Sequence, residues 1–379
     1  MTTSNLLDSQ PTPWADRITA PSNPALQAQV QRCLDEKTKP LGSLGQLERI
    51  ALQLALVQGR PDPALFAPQM MVFAGDHGIA RQGVSAFPAE VTPQMVHNFL
   101  QGGAAVSVLS RCHGLHQVVV NCGVNADFDP HPDLLAARVP GLEYGCQDST
   151  QGPAMSIEQC VYAMENGAAA VRARPGNAIL LGEMGIGNTS PASMLMHRLT
   201  GIPLDVCVGR GTGLDDTGVQ RKLATLERAL AANASADSPL AWLAAVGGLE
   251  IAAMVGAVLQ AAAERRLVVV DGFITTAAVA TAAALVPQVL DYCVFAHSSA
   301  ESGHARWLEH LGVEAILDLD LRLGEGSGAA LCWPIIVAAT SILNEMSSFA
   351  SAGVSTRDIS TPDISTPDVL SVRHAGEQA

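Results

Sequence analysis

Charge is scarce in this chain. Only 15% of its 379 residues are Asp, Glu, Lys or Arg, and only 4% are aromatic, against about a quarter charged in an ordinary soluble domain. A surface that poor in charge must be apolar, rich in glycine, or covered by another subunit. The charges present are lopsided, with 22 basic against 36 acidic residues and a formal net charge of −14. That excludes a broad nucleic-acid footprint, which needs a basic face, while leaving room for a local basic site for one phosphate. The eight cysteines (Cys33, Cys112, Cys122, Cys146, Cys160, Cys207, Cys293 and Cys332) contain no C-x-x-C pair. Neither a disulfide framework nor a standard zinc pattern is written into them, and scattered thiols fit a reducing cytoplasm. No apolar core of a secretory signal stands in residues 1–16. The longest candidate span, residues 274–290, is rich in Ala and Thr and broken by Pro287. The expectation is a soluble cytoplasmic protein.

Small apolar residues are what the chain has in quantity. Hydrophobic residues make up 48% and glycines number 34, and the length suffices for two domains or for one large α/β domain with additions. After a proline-rich start, residues 24–38 and 43–58 read as helices; Leu44, Leu47, Ile50, Ala51, Leu54 and Ala55 recur at helical spacing. From Gln69 onward short β-branched runs appear at 70–78, 118–125, 178–187, 205–213, 267–273 and 292–299. They are continuously apolar, as strands buried on both faces of a parallel sheet must be. Helical stretches separate them at 90–112, 156–172, 189–199, 216–232, 239–264, 275–286 and 300–311. The alternation predicts an α/β fold, a doubly wound, mainly parallel sheet of six strands. Past Phe349 the tandem repeat DISTPDISTPDV (358–369) offers little to bury and is expected to be disordered over 351–379.

Ligands of such sheets bind beyond the carboxyl ends of the strands. Those ends carry Asp76-His77, Asn121, Glu183, Arg210, Asp271 and His297-Ser298-Ser299. GEMGIGNTS (182–190) follows a strand and opens a helix. It is neither the dinucleotide G-x-G-x-x-G nor a P-loop, yet amides at a helix start make an anion site. Thr189 or Ser190 could instead be simple helix caps, the less favoured alternative. Arg210 is available for an anion, while Arg221 and Lys222 read first as solvated helix charges. LRLGEGSGAA (321–330) sets Glu325 between Gly324 and Gly326, between two apolar runs. It is either a surface turn or a carboxylate presented to a ligand. DFDPHPD (127–133) lacks the glycine and terminal Glu of a calcium loop, and no G-x-S-x-G elbow of a serine hydrolase occurs.

Six segments in order carry a resemblance: KPLGSLGQLE (39–48), AGDHGIARQGVSAFP (74–88), GEMGIGNTSPAS (182–193), VGGLEIAAMVGA (246–257), VDGFITTAA (270–278) and LRLGEGSGAAL (321–331). Together they resemble the nicotinate-nucleotide–dimethylbenzimidazole phosphoribosyltransferase family of cobalamin lower-ligand synthesis. The resemblance implies transfer of phosphoribose from nicotinate mononucleotide to 5,6-dimethylbenzimidazole, giving α-ribazole 5′-phosphate and nicotinate, with no cofactor and no metal. It implies that Glu325 is the general base and that Glu183 lies near the ribose and leaving group. It places the 5′-phosphate on the amides of Gly185, Ile186, Gly187 and Asn188; Thr189 is a further expected substrate contact, and Lys222 is our candidate for a nearby cationic partner. Gly324, Ser85, Phe87, Gln94 and Met95 would line the base pocket. A homodimer is implied, as is a Rossmann-like sheet with a smaller helical domain built from both chain ends: residues 1–60, a catalytic domain over 61–330, and a returning helix over 331–350. Rival readings are transfer to another base (benzimidazole, purine or phenol), a nicotinamide-cofactor oxidoreductase, which lacks its fingerprint here, and a non-catalytic mononucleotide sensor.

Overall fold

The computed structural model describes residues 14, 16–211 and 213–355. The DISTPD repeat lies outside the described residues. Asn23 opens the first helix, α1 (Pro24–Asp35), by accepting the Leu26 amide, and Pro24 sits in the first turn, where its missing N–H is no loss. Helix α2 (Gln46–Gln58) stops at Gly59, which takes the left-handed conformation of a C-terminal cap. Then β1 (Gln69–Gly75), α3 (Val91–Leu100), α4 (Ala105–Cys112), β2 (His116–Gly123), β3 (Leu134–Ala136) and α5 (Ile157–Arg172) follow. The middle of the chain forms β4 (Ala178–Met184), α6 (Thr189–Thr200), α7 (Leu204–Cys207), α8 (Asp216–Ala232), α9 (Pro239–Val246) and α10 (Leu249–Ala263). The last third forms β5 (Leu267–Val270), α11 (Phe273–Leu285), β6 (Cys293–Ser298), α12 (His304–Leu311), β7 (Ala315–Asp318), α13 (Ser327–Glu345) and α14 (Phe349–Ala352).

The α/β class holds, with seven parallel strands rather than six, in the order β3-β2-β1-β4-β5-β6-β7. Two of the strands, β3 and β7, span only three and four residues, too short for an apolar pattern to announce them. Conversely, the run at 205–213 is no strand. Its first residues form the short helix α7 after Pro203, and Gly211 and Gly213 with φ of 52° and 117° turn the chain out of any ladder. Two expected helices are each split in two, 90–112 around Gly102-Gly103 and 239–264 at Gly247-Gly248.

Alternate residues of each strand point to opposite faces. In β1, Met71 and Phe73 join the core beneath α5, α9, α10 and α11, while Met70, Val72 and Ala74 join the core beneath α1, α2 and α13. Both faces are thus covered, which is why β1 and β4 are buried along their whole length. The two chain ends meet: the Phe349 amide donates to Glu36 O at 2.9 Å and Lys37 Nζ to Met346 O at 2.5 Å. Helix α13 is long and apolar enough to cross a membrane by length and composition, but Ala330, Trp333, Ile336, Ala339 and Leu343 place one side of it in the core.

The order of strands reverses between β1 and β4, and the crevice of a doubly wound sheet opens at that switch point. GDHG leaves one of these strands and GEMG the other.

Candidate active site

A cavity of about 310 Å³ lies beyond the carboxyl ends of β4, β5 and β6. Glu183, Asp271 and Glu325 supply its buried carboxyls and half-buried Glu301 a fourth, residues 184–189 form one wall, and Val84, Phe87, Val91, Met95 and Leu323 form an apolar wall.

Glu325 is held in place by its backbone. Gly324, Glu325 and Gly326 have φ of 80°, 66° and 93°, a left-handed run that glycine adopts freely and glutamate does not. Strain of this kind persists only where the surroundings fix it. Here Glu183 Oε1 accepts the Glu325 amide at 3.3 Å, and Asp271 accepts the amides of Gly326 and Ala329 at 3.1 and 2.9 Å. Gly182 lets the turn come down on β4: a Cβ there would lie 2.2 Å from Glu325 O. The surface-turn alternative is therefore wrong for this residue, which is 8% exposed and opens on the cavity.

The electrostatics follow from burial. Removal from water pushes the Glu183 carboxyl up to about 8, with the charge of Asp271 adding to the effect. Burial and then Asp271 push Glu325 up to about 7. Asp271 is itself raised by burial, against the opposing pull of His297 and three backbone amides. Three buried carboxyls around one cavity do not all ionise at neutral pH, and a cation entering it would draw their protons off.

The wall at 184–189 is the start of α6. No side chain caps this helix, which corrects the capping alternative for Thr189 and Ser190. The Thr189 hydroxyl instead accepts from Lys222 Nζ at 2.7 Å. The amides of Gly187 and Thr189 have no internal acceptor among the described residues. They sit at the positive end of the helix dipole, as an anion site requires. The Asn188 side chain donates to Glu183 Oε2, tying this wall to the carboxyls.

Lys222 is not a solvated helix charge. It is fully buried, burial pushes its ammonium down to about 8, and it reaches the cavity wall through Thr189 rather than lining it. Ser85, Phe87 and Met95 line the cavity as expected, but Gln94 does not: Val91 and Met95 stand one turn apart on the inward side of α3, and Gln94 is exposed. Arg210 pairs with exposed Asp216 away from the cavity; Arg322 is the cation on the lining.

Asp271 and His297 were visible only as strand ends and are the site residues that sequence reasoning left without a role. Asp271 holds the Glu325 turn, and His297 Nε2 stands 3.7 Å from Asp271 Oδ1, beyond hydrogen-bond range. Behind them His304 is held neutral, lowered to about 4 by burial and by His297. Its Nδ1 accepts the Ser299 amide at 2.8 Å, so its Nε2–H donates to Thr276 at 3.0 Å.

A helix start with free amides facing buried carboxyls, at the switch point of a parallel sheet, defines a Rossmann-like nucleotide-handling enzyme. The comparisons narrow it. A phosphoribosyltransferase family model matches residues 19–354. The chain is 58% identical over 334 residues to the nicotinate-nucleotide–dimethylbenzimidazole phosphoribosyltransferase of Variovorax paradoxus, covering 88% of this chain and 95% of that one. It is 53% identical to the Cupriavidus necator protein of the same name, over 89% and 97% of the two chains. The crystal structure of CobT from Thermus thermophilus superposes with a TM-score of 0.83 at 41% identity, over 88% of this chain and 99% of that one. The chain belongs to the nicotinate-nucleotide–dimethylbenzimidazole phosphoribosyltransferase family.

Proposed function

We propose that this protein transfers the 5-phosphoribosyl group of nicotinate mononucleotide to 5,6-dimethylbenzimidazole, releasing nicotinate and α-ribazole 5′-phosphate for cobalamin synthesis. The observation that carries the reading is the pairing of an uncapped helix start with three buried carboxyls across one cavity. The donor has this same polarity: a phosphate at one end and a pyridinium cation on C1′. The phosphate lies on the amides of Gly187 and Thr189, with Lys222 acting through Thr189; the expected amides of Ile186 and Asn188 are not available to it, since they donate to Thr92 and to Gly185 O. The pyridinium faces Glu183, Asp271 and Glu325, and its charge lowers their raised pKa values until Glu183 and Glu325 ionise.

The chemistry then runs without a covalent intermediate. The C1′–N bond to nicotinate breaks as a benzimidazole nitrogen attacks from the opposite face, inverting the centre. Glu183 stabilises the positive charge that develops at C1′. The attacking base still carries a proton on its second nitrogen, and Glu325 accepts it. A carboxyl pushed up to about 7 is matched to that task at neutral pH. The apolar wall of Val84, Phe87, Val91, Met95 and Leu323 suits a flat methylated base and has few partners for the polar edge of a purine. Exposed Val161 and Tyr162 on α5 support a working homodimer, and the sequence composition supports a cytoplasmic location.

Mixing protein, nicotinate mononucleotide and dimethylbenzimidazole, with products read by mass, tests the reading. Equal yields of α-ribazole phosphate and nicotinate are expected. Binding of the mononucleotide with no turnover would make the protein a sensor instead.

A further inference from the structure

The GDHG turn at the end of β1 takes no part in the steps above, yet its histidine side chain is almost wholly buried. His77 Nε2 lies 2.9 Å from Glu250 Oε1, and the two side chains are 1% and 0% exposed. They come from opposite parts of the chain, the end of β1 and the first turn of α10. Neither lines the cavity. A buried ion pair is weak support for stability, because desolvating two charges offsets most of their attraction. This pair is also incomplete, since Glu250 Oε2 has no hydrogen-bond partner among the described residues. Its presence asks for another reason.

The surroundings supply one. A Cβ on Gly185 would lie 3.0 Å from His77 Nε2 and 2.4 Å from Gly75 O. The first residue of the anion-binding wall therefore rests directly on the imidazole, with no side chain between. The ring is crowded at Cε1 as well, where a Cβ on Gly248 would lie 2.3 Å from that atom and 2.6 Å from Glu250 Oε2. One residue further along the wall, the Ile186 amide donates to the fully buried hydroxyl of Thr92 at 3.1 Å. Two struts thus hold consecutive peptides of the wall from behind, and both stop short of the cavity.

We infer that His77, braced by Glu250, is a positioning residue that sets the pitch of the 185–188 peptides and so the affinity for the donor's phosphate. Burial alone would lower the imidazole's pKa, but the Glu250 charge, with help from Cys146, raises it well above its ordinary value. The proton that makes the Nε2–Glu250 bond therefore stays in place. This inference rests on the proposed function for the identity of the donor, not for the geometry.

The test is calorimetric binding of nicotinate mononucleotide and, separately, of dimethylbenzimidazole to the full-length chain. His77→Ala removes the strut; His77→Gln keeps a side-chain N–H for Glu250. The alanine variant is expected to bind the mononucleotide at least tenfold more weakly, and the glutamine variant within about threefold of wild type. Base affinity should stay within about twofold in both. A folded alanine variant with wild-type mononucleotide affinity, or with equal losses for both ligands, overturns the proposal, because a purely structural role lowers the melting temperature without selecting one ligand. If His77→Ala does not fold, Thr92→Val removes the neighbouring strut, and the same selective loss is required of it. Turnover is not needed for this readout, so a protein that binds but does not react refutes the transferase reading alone. A wild type that binds neither the mononucleotide nor inorganic phosphate overturns both.

Discussion

Replacing Glu325 by Gln should make the ligand-free protein more stable at alkaline pH. Folding carries this carboxyl from an ordinary 4.5 up to about 7. Between those values the folded chain keeps a proton that the unfolded chain releases, so rising pH favours unfolding through this window. The cost is small near pH 4.5 and complete above pH 7. At about 1.4 kcal/mol per pH unit it amounts to about 3.5 kcal/mol at most, and to about 1–3 kcal/mol once cavity water screens part of the charge. Glutamine is neutral at every pH and never incurs it. With about 340 ordered residues, and an unfolding entropy of about 2.1 cal/mol/K for each, 1 kcal/mol moves Tm by about 1.4 °C. Glu325→Gln should therefore melt about 1–4 °C higher than wild type at pH 8. At pH 5 the gain should shrink to about a quarter of that, because wild-type Glu325 is then protonated when folded. Paired calorimetric melts of the two proteins at both pH values check this. A variant no more stable than wild type at pH 8, or stabilised equally at both pH values, refutes the argument that burial holds this carboxyl protonated.

Two further outcomes follow from the same geometry. Binding of nicotinate mononucleotide near pH 7.5 should release about 0.5–1 proton, because the pyridinium lowers carboxyl pKa values that stand at about 8 and 7 in the empty cavity. Calorimetry in buffers of different ionisation enthalpy measures this, and proton uptake would contradict it. Gly182→Ala should cut kcat by about 10²-fold, the scale of a 1 Å misplacement, since its Cβ would fall 2.2 Å from Glu325 O and push the turn off β4. Near-wild-type kcat in that variant would show that the turn does not need the close approach.

The layers of the fold were legible because buried parallel strands write themselves as continuous apolar runs, and β1, β4, β5 and β6 are of that kind. Segment 205–213 misled because a few apolar residues before glycines look like a strand end, and only Pro203 and the left-handed glycines decide otherwise. The short edge strands β3 and β7 are set by their neighbours rather than by their own residues. At the site, Glu325 could be singled out by the glycines around it, and Glu183 by its place at a strand end. Residue types alone could not say that Lys222 turns inward to Thr189, since nothing in a charged helix segment singles out one lysine. Gln94 was misplaced by one step of helix phase. Asp271 and the His77–Glu250 pair act by holding backbone amides or filling space beneath glycines, relations between residues far apart in sequence.

The central claim is that Glu325 accepts the proton of the attacking base. It is tested most directly by turnover of Glu325→Gln with nicotinate mononucleotide and dimethylbenzimidazole at pH 7.5, read by product mass, with mononucleotide affinity measured alongside. The account predicts a loss in kcat of about 10²-fold or more, with mononucleotide affinity unchanged to within a few-fold. A kcat close to wild type would remove Glu325 from the mechanism.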